Sequence, residues 1–188
     1  MLRKLQLPLI LFGCLLAGAC DRKSSPEPSS RSTTAPSALS RYDWRPMFDG
    51  KTLGKWKASD FAGAGEVTIK DGAIVMAHGN GDMTGITWTG EYPKVNYEIA
   101  LEAQRVEGSD FFCGLTFPVN DTFASLILGG WGGSVCGISC LNYEDASRNE
   151  TTTTRQFKTG QWYRVRMRVS GEKFPVTLCH HANLPCPP

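Results

Sequence analysis

Between Glu66 and Val169, apolar and polar residues alternate with a period of two in one segment after another, and no window holds a helical stripe longer than a turn or two. Gly-rich and Asn/Asp-rich breaks separate the segments. The cleanest run sets Val95, Tyr97, Ile99, Leu101 and Ala103 against Asn96, Glu98, Ala100, Glu102 and Gln104, giving a long strand one apolar and one polar face. Trp162 to Val169 repeats the pattern, with Tyr163, Val165, Met167 and Val169 on one side and Arg164, Arg166 and Arg168 on the other. EVTIKDGAIVMA reads as a hairpin around Asp71-Gly72, where glycine accepts positive φ cheaply. Thr84 to Thr89 is a short strand. Asp110 to Val119, Phe123 to Leu128 and Val135 to Leu141 are apolar on both faces, as strands at the centre of a packed sandwich are. Strands joined by loops rather than crossover helices predict an all-β chain folded as a two-sheet sandwich or jelly roll.

The two ends break this pattern. MLRK is basic, and Leu5 to Ala19 is mostly apolar and closes on small residues before Cys20, the layout of an export signal. Pro8 and Gly13 interrupt the stretch, and it falls short of the roughly 20 apolar residues that span a bilayer. LLAGAC resembles a bacterial lipobox, so residues 1–19 are expected to be a signal peptide cut before a lipid-modified Cys20, with the membrane as anchor and the cell envelope as location. Residues 20–40 are rich in Ser, Pro, Thr and charge and read as a flexible tether. The sandwich is expected over 41–172. Residues 173–188, KFPVTLCHHANLPCPP, lose the alternation and carry four prolines. They read as an atypical, truncated or frameshifted tail, with the last strands of the sandwich missing.

Charge and cysteine content narrow the chemistry. The formal charge of +2 includes Arg3 and Lys4 of the signal, so the remainder is near neutral and offers no basic patch for nucleic acid. Setting aside Cys14 and Cys20 leaves Cys113, Cys136, Cys140, Cys179 and Cys186. Cys136 and Cys140 lie four apart in an expected strand, about 13 Å, too far for a disulfide. Cys113, Cys136 and Cys140 are expected as small buried thiols. Cys179, His180, His181 and Cys186 match no common zinc spacing.

FDGKTLGKW (Phe48 to Trp56), the VTIKDGAIV hairpin, YPKVNYEIALEAQ and GQWYRVRMRVSG occur in this order over Tyr42 to Gly171. Together they resemble the 3-keto-disaccharide hydrolase family. The resemblance implies a concanavalin-like jelly roll and cleavage of glycosides already oxidised at carbon 3. The ketone acidifies the carbon 2 hydrogen, a base removes it, the carbon 1 substituent leaves, and water adds to the double bond. That route needs a base, a group polarising the ketone (a divalent metal or a donor) and an acid for the leaving group. Where many relatives carry a strand reading approximately YEVQILD, this chain reads FASLILG, with Ala124, Leu126 and Gly129 at the acidic and amide positions.

Asp110 and Glu144 are the candidate catalytic carboxylates. Trp131, in GGWGG, is either a sugar-stacking platform or a plug at the end of the core. Asn142 follows an expected strand and could bond sugar hydroxyls. Glu98 and Arg166 stand on polar strand faces, as substrate contacts or as members of a solvated ion-pair row. Trp56 and Trp88 are expected core anchors. His78, beside Gly79 to Gly81, is either a base or a surface loop residue. The leading expectation is an envelope lipoprotein acting on 3-keto-glucosides, and the alternative is a noncatalytic carbohydrate-binding or envelope-scaffold domain.

Overall fold

The computed structural model describes residues 2–8, 44–81, 83–171, 173 and 175–180, with side chains for all of these except 2–8, 179 and 180. Cys20, the tether, His181 and Cys186 lie outside the described residues. Among the described residues there are only strands: β1 (Leu2–Pro8), β2 (Trp44–Pro46), β3 (Trp56–Ala58), β4 (Val67–Lys70), β5 (Ala73–Met76), β6 (Ile86–Trp88), β7 (Tyr97–Gln104), β8 (Cys113–Val119), β9 (Thr122–Gly130), β10 (Val135–Ser139), β11 (Thr153–Thr154), β12 (Trp162–Val169) and β13 (Val176–His180). The larger sheet runs β13-β12-β7-β1-β5-β4, with β2 also paired to β1. The smaller runs β11-β10-β9-β8, and β3 pairs β6 separately. The all-β sandwich expected from the alternation is the fold observed.

β7 and β12 hold the larger sheet together. They pair antiparallel over their full length, from Trp162↔Gln104 to Val169↔Tyr97. Because side chains alternate, this register sends Tyr97, Ile99, Leu101, Ala103, Tyr163, Val165, Met167 and Val169 into one core. Phe117, Ala124, Leu126, Leu128, Cys136 and Ile138 of the smaller sheet complete it from the other side. Each large apolar side chain so buried contributes roughly 1.5–3 kcal/mol. At one end Phe112, Phe157 and Tyr163 form an aromatic knot with centroids 4.6–5.1 Å apart, and Lys158 N donates to the Tyr163 hydroxyl at 2.8 Å. At the other end the Tyr97 hydroxyl donates to Pro118 O, and burial pushes that phenol well above its ordinary value.

The expected hairpin is present: Asp71 and Gly72 take φ of 51° and 72° between β4 and β5. The tail differs from expectation. Residues 176–180 form β13, paired with β12 from Met167↔Val176 to Tyr163↔His180. A tight turn bridged by Ser170 and Lys173 reverses the chain, and Pro175, lacking an N–H, is tolerated because β13 is an edge strand. The thiols also differ. Cys136 is buried, Cys113 is half-buried with its thiol pushed up to about 11 by burial, and Cys140 is exposed because β10 ends at Ser139. All three are free.

Leu2–Pro8, within the stretch expected to be a signal peptide, lies in this full-length chain between β7 and β5, antiparallel to both, at Arg3↔Glu102 and Leu2↔Ile74. Extended chain there pairs with β7 at three positions and with β5 at one, covering backbone groups that would otherwise be edges. A chain beginning at Cys20 lacks β1, and its thermal midpoint is expected to fall by roughly 10 °C relative to the full chain. A peptide of residues 2–8 in excess should recover part of that loss. Equal midpoints for the two chains would show that β1 adds nothing to the sheet.

Candidate functional site

Three groups of polar and aromatic side chains stand outside the core. The first is built by FDGKTLGKW. Asp49 Oδ1 accepts from Lys51 N at 2.8 Å and Thr52 N at 2.7 Å, while its Oδ2 accepts from the Thr52 hydroxyl at 3.0 Å. These donors, led by Thr52 N–H, hold its carboxyl below the usual 3.8. Gly50 and Gly54 take φ of 80° and 58°, which explains the glycines of the motif. Trp56 donates from Nε1 to Met47 O at 2.8 Å and packs on Trp88 with centroids 5.1 Å apart. Both indoles are half-buried anchors. The loop lines an open pocket of about 410 Å³ with Arg45, Lys55, Trp88 and Glu91.

The second group is a charge ladder on the outer face of β7 and β12. Glu98 is 1 % exposed, and its two carboxylate oxygens accept from Arg166 Nε and Arg168 Nε, each at 2.6 Å. Glu102 accepts from Arg164 Nη2 at 2.9 Å. Arg166 also lies 5.8 Å from the Trp44 ring centroid, a cation–π contact that fastens β2 over the ladder. Of the two readings for Glu98 and Arg166, this arrangement matches the ion-pair row. Its carboxylates are buried while the arginines reach solvent, and Glu98 presents almost no surface to a substrate.

The third group lies at the end of the sandwich where the β7–β8, β9–β10 and β11–β12 loops meet. Asp110 Oδ1 accepts from Phe111 N at 2.8 Å and Oδ2 from Gly132 N at 3.0 Å, so one carboxylate ties two loops together. Arg105 supports them from below: Nη1 donates to Ser109 O at 3.0 Å, Nε to the Thr159 hydroxyl at 3.3 Å, and Nη2 to Phe157 O. The turn they hold presents Trp131 at 43 % exposure beside Phe111, with ring centroids 5.5 Å apart. Trp131 takes φ of 47°, and a Cβ on Gly133 would lie 2.0 Å from Ser109 O, so the glycines of GGWGG are what allow the loops to close. Trp131 therefore does not plug the core.

Asn142 and Glu144 are not part of that cluster. They are exposed beyond Ser139, at the opposite end of β10 from Trp131, with about 13 Å of strand between. The loop that carries them is knitted down by Asn149, which donates to Ile138 O at 2.8 Å and Asp145 O at 2.9 Å. Asp145, whose carboxyl is held low first by the Ser147 hydroxyl, caps the same loop. His78 is exposed, as a surface loop residue is. Among the described residues, no three His, Cys, Asp or Glu side chains gather closely enough to hold a metal ion.

The family model for a 3-keto-alpha-glucoside-1,2-lyase-like domain matches residues 43–179, most of the chain. The chain belongs to that family. Neither a curated protein nor a solved structure matches it. The match runs through β13, in keeping with the observed hairpin at the end of the lyase-like domain. In this lyase-like chain, two of the β9 positions that the resemblance implies as acidic or amide, Ala124 and Leu126, are buried core residues, while Gly129 forms a bulge with φ of 69°. Asp110 is the carboxylate that bonds the backbone beside the exposed aromatic pair, at Phe111 N and Gly132 N.

The ladder makes a stability claim. Glu98→Ala leaves Arg166 and Arg168 without their shared acceptor, and urea unfolding is expected to show a loss of about 3 kcal/mol, the lower range for a broken buried pair because both arginines reach solvent. A loss well under about 1 kcal/mol would reduce the ladder to an ordinary surface row.

Proposed function

We propose that this lyase-like domain recognises a 3-keto-glucoside at the loop end of the sandwich, stacking a sugar ring on Trp131 and Phe111. The observation that carries this reading is the exposed aromatic pair, held in place by Asp110 and Arg105 at the cost of a left-handed backbone at Trp131. A sugar ring has an apolar face and a polar rim, which suits an indole beside backbone and carboxylate acceptors. Family membership supports the substrate class.

A second reading has the domain cleave that ligand, with Asp110 taking the carbon 2 proton. It is favoured by the family and by Asp110's exposed place beside the platform. Against it, both Asp110 oxygens already accept backbone N–H groups, and Arg105 spends its guanidinium on loop carbonyls and a hydroxyl. Recognition needs none of these groups to be released, so it is the reading the geometry supports best.

Calorimetric titration with 3-keto-trehalose tests both. Saturable binding is expected, weakened about ten-fold or more by Trp131→Ala. Release of the keto sugar that Asp110→Asn abolishes, without loss of binding, would establish the lyase reading. Absence of binding would sink both.

The domain, on this proposal, is carried outside the cytoplasm on a lipid attached to Cys20, supported by the basic MLRK start, the apolar Leu5 to Ala19 stretch and LLAGAC, so that the anchored form has lost residues 1–19 and β1 with them. Cys20→Ser is expected to move the protein from the membrane to the soluble fraction and to abolish incorporation of labelled palmitate. Unchanged labelling would rule Cys20 out as the anchor.

A further inference from the structure

The outer face of the smaller sheet carries a second aromatic pair that no role above uses. Tyr92 and Phe123 are 42 % and 57 % exposed, with ring centroids 6.5 Å apart in an edge-to-face arrangement. Their placement is built. Asn120 N donates to Lys94 O at 3.0 Å, and Lys94 Nζ pairs with Asp121 at 2.8 Å, which docks the Tyr92 loop on the β8–β9 turn.

The register puts this pair and the Phe111–Trp131 pair on one face. Ala124, Leu126 and Leu128 of β9 enter the core, so Phe123, Ser125 and Ile127 point outward, as do Gly114 and Thr116 of β8 opposite them. At the far end a Cβ on Gly130 would meet the Ile127 side chain at 3.0 Å and the Phe111 ring at 3.1 Å, which sets Phe111 over the end of the same face. From Phe123 to Gly130 the strand covers about 23 Å. Between the aromatic ends lie Thr116 and Ser125, their hydroxyls 2.8 Å apart, and a Cβ on Gly114 would meet nothing within 4 Å, so the floor is open. One flank is raised by the loop after β10, whose Ala146 O would stand 3.0 Å from a Cβ on Gly137.

We propose that this face is an extended glycan groove, with Tyr92 and Phe123 as a second sugar-stacking subsite, so that the natural ligand is an oligosaccharide rather than a disaccharide. The inference rests on the proposed recognition at Trp131. The occupant follows from the chemistry of the face: aromatic rings at both ends, hydroxyls and bare backbone between them, and no charged side chain among the outward positions of β8 and β9. An anion would seek cations, which the floor does not offer, and a peptide strand added at the edge of β8 would not engage the rings of the face. A disaccharide reaches one aromatic pair, whereas a longer chain reaches both.

The test compares gluco-oligosaccharides of two and six residues, each oxidised at carbon 3 of the non-reducing glucose, titrated against the full chain. The six-residue probe is expected to bind about ten-fold more tightly than the two-residue probe. Tyr92→Ala with Phe123→Ala should erase that gain and leave two-residue binding unchanged, while Phe123→Trp should keep the gain. Trp131→Ala should weaken both probes. Binding of the short probe with no gain from length, or a gain that survives the double substitution, overturns the groove while leaving the recognition site intact. Failure of both probes to bind overturns recognition itself. A dimer that the double substitution dissolves, with no length effect, would assign the face to self-association and overturn the groove.

Discussion

The continuous pairing of β7 with β12 is the constraint on which the rest of the molecule depends. One register decides both faces at once, since a shift of a single residue would turn Tyr97, Ile99, Leu101 and Ala103 to solvent and Glu98 and Glu102 into the core. The inner face then fixes where β8, β9 and β10 pack. On the outer face, Arg166 and Arg168 converge on Glu98 and Arg164 on Glu102. The ladder also fits the register: Arg164 faces Glu102 and Arg168 faces Glu98, while Arg166, opposite Ala100, reaches diagonally to Glu98. Apolar burial supplies most of the stability and sets the alignment, and the charges are satisfied within it.

The strands legible in the sequence are those in which one face had to be buried and the other wetted. β7, β12 and the β4–β5 hairpin fall where alternation puts them. β2, β3 and β11 have two or three residues each, too few to show a period, and exist because a longer neighbour offers a partner. β13 was hidden by Pro175, whose effect depends on whether a strand is central or at an edge, and that is a property of the sheet rather than of the segment. β1 was hidden for a different reason. Basic and apolar residues suited to a leader also suit an extended segment between two strands, and composition does not separate those uses.

Site residues were legible as types but not as states of engagement. Asp110 and Glu144 read as available carboxylates and Glu98 as either a substrate contact or a member of an ion-pair row, yet Asp110 spends both oxygens on backbone N–H groups, Glu98 both on guanidinium groups, and Glu144 stands at the other end of β10. The partner decides availability, and partners come from loops distant in sequence. FDGKTLGKW shows the same thing in reverse. It is the most specific stretch of the chain, and its Asp49 and glycines serve a turn that anchors Trp56. Trp131 was the better signal, because an indole between paired glycines has little local cover whatever the fold around it. Tyr92 and Phe123 carried no motif at all, and only the β8–β9 register brings them to one face with Trp131.

The two outer faces of the sandwich differ in what they ask of a ligand. On the larger sheet, any sugar displacing water from the ladder would have to compete for guanidinium and carboxylate groups already bonded to one another, at a desolvation cost that a neutral hydroxyl does not repay. On the smaller sheet the outward groups are rings, two hydroxyls and open backbone, whose water is given up cheaply and whose geometry matches the alternating apolar faces and polar rims of linked sugars. The charged face is therefore committed to holding the fold, and on the proposed reading the uncharged face is where a glycan binds. The loops that lock Trp131 in place belong to the end of that uncharged face, so the constraint that begins in the β7–β12 register ends by deciding where a glycan can lie.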